Sequence, residues 1–325
     1  MPNTELDVKR LPWAENMVEI SAGATSRELL EAAGLDWTVE KTTLFRRPPY
    51  IPVTSQEDGY EPITVMAPNL DGQLVEAEDV FDIQRPLDGK IFGQVGGDYV
   101  PVQNVEAFTF ADHLVFDEGG EWIAAGEQYG GKIVFGVMKL NGHTIMVDGK
   151  DPVDLYLTIR TSHNGTTGLQ AYVTPVRMAC ENMTSIMIAQ AKQKWSMRHV
   201  GDVAGKIQQA RDTLRLSLKY QDELERELNE LLQVPVSDEK AEWVLGRVIK
   251  GSEKRKERVI TGILSCYLDD ETNGFAGTGY GLLNGLTDYF DHEAKRQSST
   301  ARLQEQYDGE GARARNSLVA ELLHK

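Results

Sequence analysis

The residues of this sequence best suited to chemistry are cations grouped around an indole. Arg160 and Arg177 flank the stretch His163-Asn164-Gly165, and Lys192, Lys194, Trp195, Arg198 and His199 follow closely. Counted outward from that turn, cross-strand geometry allows Arg160 and Arg177 to share one sheet face. Such cations contact phosphates with salt-dependent affinity, and a Trp offers a stacking surface to an unpaired base. The chemistry implied is non-covalent: a single-stranded nucleic acid held by Arg160, His163, Arg177, Lys192, Lys194, Trp195, Arg198 and His199. A solvated helix end with a core Trp is the competing reading.

Other chemistry is thinly represented. The signatures GxSxG, HExxH and GxxxxGK[ST] do not occur, so the strong patterns of serine hydrolase, zinc protease and P-loop nucleotidase are missing. Gly277-Thr278-Gly279-Tyr280-Gly281 resembles a phosphate-cradling loop before a helix, but it follows no strand and reads equally as a lead-in. Asp288 and His292 are four apart, as an ion pair on a helix face would be. The acidic pairs Glu57-Asp58 and Asp117-Glu118 and the run Asp269-Asp270-Glu271 fit solvated loops better than a divalent-ion site. No cofactor is implied.

These residues need elements to position them. Thr25 to Gly34 reads as a short capped helix, and Leu35 to Glu40 alternates as a strand. Arg46 to Pro68 reads as a loop rich in Pro and acids. Lys90 to Val95 reads as a strand and Pro101 to Phe116 as one helix capped by Asn104. Two strand-like runs surround Gly130-Gly131. Asp154–Ser162 and Leu169–Met178 read as partners around a tight turn at His163–Gly165, and Cys180–Lys194 as a helix. Apolar residues from Val203 to Leu231 then mark a long amphipathic helix of about 28 residues, ended by Pro235. Helices follow from Ser237 to Ile249, Glu253 to Leu268, Tyr280 to Lys295 and near Leu318–Leu323. The fold class expected is α+β: an antiparallel sheet with a β-β-β-α core in the front half and a helical C-terminal half. The expected division is an irregular arm over 1–24, an α+β domain over 25–200 and a helical region over 201–325.

Composition narrows the classes. The chain has 325 residues, two cysteines and a formal net charge of −16. Cys180 and Cys266 form no metal or redox spacing, which favours a reducing compartment. No apolar run approaches the roughly 20 residues of a membrane span and no signal peptide is visible, so the expected location is the cytoplasm. Net acidity opposes a generic nucleic-acid coat. The charge is uneven, however: residues 52–121 sum to −13 and residues 130–215 to +5. A specialised face and chance clustering on loops both account for that.

Several strings resemble the phage/plasmid-like family also known as domain of unknown function 932. They are Leu30 to Glu40, Val95 to Asn104, Thr161 to Gly165, Thr174 to Asn182 and Asn284 to His292. The resemblance implies a phage, prophage or plasmid source and no settled activity. One departure is the run Gly277, Gly279, Gly281, where relatives are expected to be bulkier. The order helix, three strands, helix is also similar to the core of single-strand annealing proteins, the class of RecT, Redβ and Erf. That similarity implies an oligomer laying single-stranded DNA in a basic groove beside the sheet.

Three functions stand as expectations. The first is an ATP-independent single-stranded DNA binding and annealing protein that self-associates. The second is an acidic phage accessory protein binding a host or phage protein through its long helix. The third is a metal-dependent nucleic-acid enzyme.

Overall fold

The computed structural model describes residues 18–55, 61–177, 194–203, 205–207, 221–269, 274–294 and 309–323. The chain is an α+β protein with antiparallel sheets. The strands are β1 (Glu40–Arg46), β2 (Tyr50–Ser55), β3 (Ile63–Pro68), β4 (Val75–Arg85), β5 (Lys90–Gly96), β6 (Gly120–Gln128), β7 (Ile133–Val147), β8 (Asp151–Ser162), β9 (Leu169–Arg177) and β10 (Lys194–Met197). The main helices are α1 (Ser26–Ala32), α2 (Asn104–Thr109), α3 (Asp112–Glu118), α4 (Gln221–Gln233), α5 (Asp238–Val248), α6 (Glu253–Tyr267), α7 (Gly279–Asp288) and α8 (Glu310–Leu323). A π-helical turn, Tyr289–Glu293, prolongs α7.

The largest sheet has the order β10-β9-β8-β7-β6. Its middle strand, β8, alternates as the sequence suggests, but both of its faces are buried. One face carries Val153, Leu155, Leu157 and Ile159 into the main apolar cluster. Helices α1, α2, α3 and α4 pack on β6, β7 or β8, and α7 and α8 complete the helical half. The same cluster runs from Leu29 in α1 to Leu322 in α8, so sheet and helices share one core.

Four sequence expectations change on the structure. Leu35 to Val39 is not a strand, because side chains satisfy its backbone. Asn104 Nδ2 donates to the Leu35 carbonyl, and Gln103 both accepts from Val39 N–H and donates to its carbonyl. The helix expected over 101–116 breaks after Thr109. Phe108 and Phe110 are both fully buried, and residues two apart cannot share a helix face. The loop expected over 46–68 contains β2 and β3, a ribbon of its own in which both strands are edges. Pro52 and Pro68 are tolerated there because an edge strand can lack a donor. The turn after β8 is a six-residue loop, 163–168, rather than a tight one.

The helix expected over 180–194 and the middle of the one expected over 203–231 lie mostly outside the described residues. Lys194, expected in a helix, opens β10 instead.

Close approach of α6 and α7 requires a glycine. A Cβ on Gly285 would sit 2.6 Å from Tyr267 Cα and 2.7 Å from its backbone N. Backbone cannot yield as a flexible side chain does, so Gly285→Ala should destabilise the chain by about 1–3 kcal/mol. A thermal melt indistinguishable from the parent would refute this packing.

Candidate nucleic-acid interface

The second face of the large sheet is polar and aromatic. Strand register sets its rows: Phe135 opposite Arg160 opposite Gln170, Val137 opposite Thr158 opposite Tyr172, and Lys139 opposite Tyr156 opposite Thr174. Lys194 pairs with Tyr172 at the edge of the second row. Phe135, Val137, Tyr156, Tyr172 and Val176 form a second apolar cluster whose described members all come from β6 to β9. Polar contacts hold the face together. Tyr172 Oη donates to Gln170 Oε1, and Lys139 Nζ lies 3.0 Å from Asp154, whose other oxygen accepts from Thr144 Oγ1 at 2.7 Å. Burial, with the Asp154 carboxylate adding to it, pushes the Tyr156 phenol up to about 12.

The sequence-selected residues do not assemble into one groove. Arg160 lies on this face but is buried. Arg177 pairs with Val153, of opposite parity and seven residues along β8 from Arg160. At about 3.3 Å per residue that is roughly 23 Å, so the two arginines do not share a site. Trp195 pairs with Ala171, which belongs to the helix-covered face. It packs there against Phe110, with ring centroids 5.8 Å apart, and is half-buried rather than offered to a base. Arg198 is exposed. Lys192 lies outside the described residues.

His163 and His199 are buried, not on a phosphate-facing surface. His163 stands edge-on to Trp37 and beside Phe92, with Arg85 5.1 Å above the Trp37 ring. Asn104 turns its amide NH2 to the Leu35 and Trp37 carbonyls, which can only accept. Its Oδ1 therefore receives the His163 Nε2–H, at 2.8 Å. Tyr99 Oη donates to the Ser162 carbonyl, so it accepts from His199 Nδ1–H at 2.8 Å. His199 Nε2 is left to accept from Thr161 Oγ1 at 3.4 Å. Burial lowers His163 to about 3, helped by His199, and lowers His199 to about 4. Both rings are neutral structural links. Parts of the strings 30–40, 95–104 and 161–165 meet at this network.

Sequence reasoning passed over Tyr156, Gln170, Tyr172 and Lys139 as site residues. The period-two run Tyr156, Thr158, Arg160 and its partner Gln170, Tyr172, Thr174 carried the signal. It also passed over a basic corner: six Lys/Arg within 247–258. Exposed Trp243 stands there with the Arg247 guanidinium 5.0 Å from its ring centre. Among the described residues no three His, Cys, Asp or Glu side chains converge on a point that could hold a metal. No described helix is long and apolar enough to cross a membrane.

The profile of the family described as Domain of unknown function (DUF932) matches residues 91–318. No curated protein and no solved structure matches the chain.

The buried histidines make stability depend on pH. Their folded values of about 3 and about 4 lie below the ordinary 6.5. Above pH 6.5 both states hold them neutral and the stability is fully present. As pH falls from 6.5 towards 4, the unfolded chain takes up protons that the folded chain refuses, and stability is lost. Each histidine contributes a slope approaching about 1.4 kcal/mol per pH unit. Denaturant melts at pH 7 and pH 5 test this: His163→Gln should lower stability at pH 7 and flatten the loss. An unchanged slope would contradict the assignment.

Proposed function

We propose, from the premise that the chain belongs to the DUF932 family, that it binds single-stranded DNA. In this reading it is an ATP-independent annealing protein of phage or plasmid recombination, with the polar face of the large sheet as its strand-binding surface. One observation carries the reading: Phe135, Tyr156 and Tyr172 stand beside Arg160 and Gln170 on the sheet face opposite the main core. Sheet aromatics can stack unpaired bases, each worth about 1–3 kcal/mol by alanine substitution, and an arginine supplies a phosphate contact. Because these side chains are buried, a strand reaches them only when the face opens. Association is then slower than for a preformed site. The order expected from the sequence, helix, three strands, helix, is similar to that of single-strand annealing proteins, whereas the described chain has four strands, β6 to β9, over residues 120–177.

A second reading, an accessory protein acting on a basic protein partner, is favoured by the acidity of residues 52–121.

Titration of a labelled single strand against the full chain tests the proposal. Binding should weaken with salt, and Arg160→Met should reduce the slope of log K against log salt by about 0.7 if the guanidinium neutralises one phosphate. A melt of the variant separates lost binding from lost fold. A native melt with an unaltered slope would take the site off this face, and no binding at low salt would end the reading.

A further inference from the structure

We infer that the corner where α5 turns into α6 binds an acidic, partly apolar peptide segment of a partner protein. The observations behind it are separate from those behind DNA binding, and either reading can fail alone.

The exposed face of α5 is built around one aromatic ring. Trp243, Gly246, Arg247 and Lys250 follow one another at i, i+3, i+4 and i+7, the spacing of one side of a helix and its end. All four are exposed. Trp243 is 59% exposed, and it is the one exposed tryptophan among the described residues. The Arg247 guanidinium stands 5.0 Å from its ring centre. Trp and Arg are the residue types that most often anchor protein interfaces.

Gly246 is a second sign. Glycine inside a helix weakens it, and packing requires none here. A Cβ on Gly246 would meet nothing within 4 Å, and its backbone is not left-handed. What the glycine does is keep the surface low beside Trp243, where another chain can then approach the helix backbone.

Charge selects the occupant. Residues 247–258 hold six Lys/Arg against two Glu in a chain of net charge −16. Lys254 and Arg258, four apart on α6, are both exposed. The guanidinium groups of this corner already hold carboxylates: Arg247 Nε lies 2.7 Å from Glu321, and Arg255 pairs with Glu310. Glu242, Glu253 and Glu257 stand exposed among the cations. A nucleic-acid backbone, charged at every phosphate, would be repelled by them. A peptide can space its carboxylates to fall on Lys250, Lys254 and Arg258 and set an apolar side chain on Trp243. Unlike charges across such an interface steer the encounter and fix its register.

Fluorescence anisotropy of the full chain with a labelled peptide of alternating Glu and Leu tests this. The peptide should bind at low salt and weaken as salt rises. Its Gln-for-Glu counterpart should bind about tenfold more weakly, and so should the Glu peptide to a chain carrying Lys254→Glu and Arg258→Glu. Gly246→Gln separates binding from folding and keeps the test open if the charge variant melts early. It should raise the melting temperature, because glutamine is the better helix former. It should still weaken the peptide by about tenfold, because its side chain fills the space beside Trp243. A parent that ignores the peptide at low salt, equal binding of the Gln counterpart, or a Gly246→Gln chain that melts later yet binds as the parent does would each overturn the inference. So would a charge variant that loses oligonucleotide binding but keeps the peptide, because the corner would then be a nucleic-acid contact. Self-association lost in the charge variant, with a parent that ignores the peptide, would make a second copy the occupant and overturn it too.

Discussion

The structure depends on β8 being buried on both faces. Its ladder to β7 and β9 satisfies the backbone on each side, which a strand cut off from water on both faces must achieve. Its odd-numbered residues anchor the main core, and its even-numbered ones make the polar face. Its ends tie down the rest of the chain. At the first end Tyr280 of α7 donates to Asp151 at 2.7 Å, joining the helical half to the sheet. At the other, Thr161, Ser162 and His163 meet Tyr99, His199 and Asn104.

The histidine network explains why segments distant in sequence are bound together. Asn104 joins the segment after α1 to the loop after β8, and Tyr99 joins the loop after β5 to the segment after β10. Each group offers one polarity to each neighbour, so the tautomers follow from the carbonyls at the two ends. These bonds tie together segments distant in sequence, although His163 Nδ1 and Trp37 Nε1 are buried without a hydrogen-bond partner among the described residues. The adjoining stack of Trp37 on Phe92, with centroids 5.3 Å apart, seals it beneath Arg85.

Much of this was legible in the residues. The capping box at Thr25, the Ser237 cap and the alternation of β8 stand where local chemistry puts them. Periodicity shows which residues share a face but not which face is covered. For that reason Trp195 read as a stacking platform, although its face is the one that the helices cover. The parity of Arg177 needed the register, which depends on a six-residue loop rather than a tight turn. The β2–β3 arm was hidden by its prolines, which signal a loop unless both strands are known to be edges. The segment after α1 alternates like a strand, yet side chains of α2 and the residue before it claim its backbone, a long-range effect no local pattern carries.

The central claim is that a single strand engages the polar face of the large sheet, and hydrogen–deuterium exchange of the full chain with and without a single-stranded oligonucleotide tests it most directly. The account predicts that the oligonucleotide changes exchange in peptides spanning β7, β8 and β9, with Tyr156 to Gln170 at the centre, and leaves α6 unaffected. Unchanged exchange across those strands under saturating oligonucleotide, or a change confined to residues 238–258 and 310–323, would contradict it.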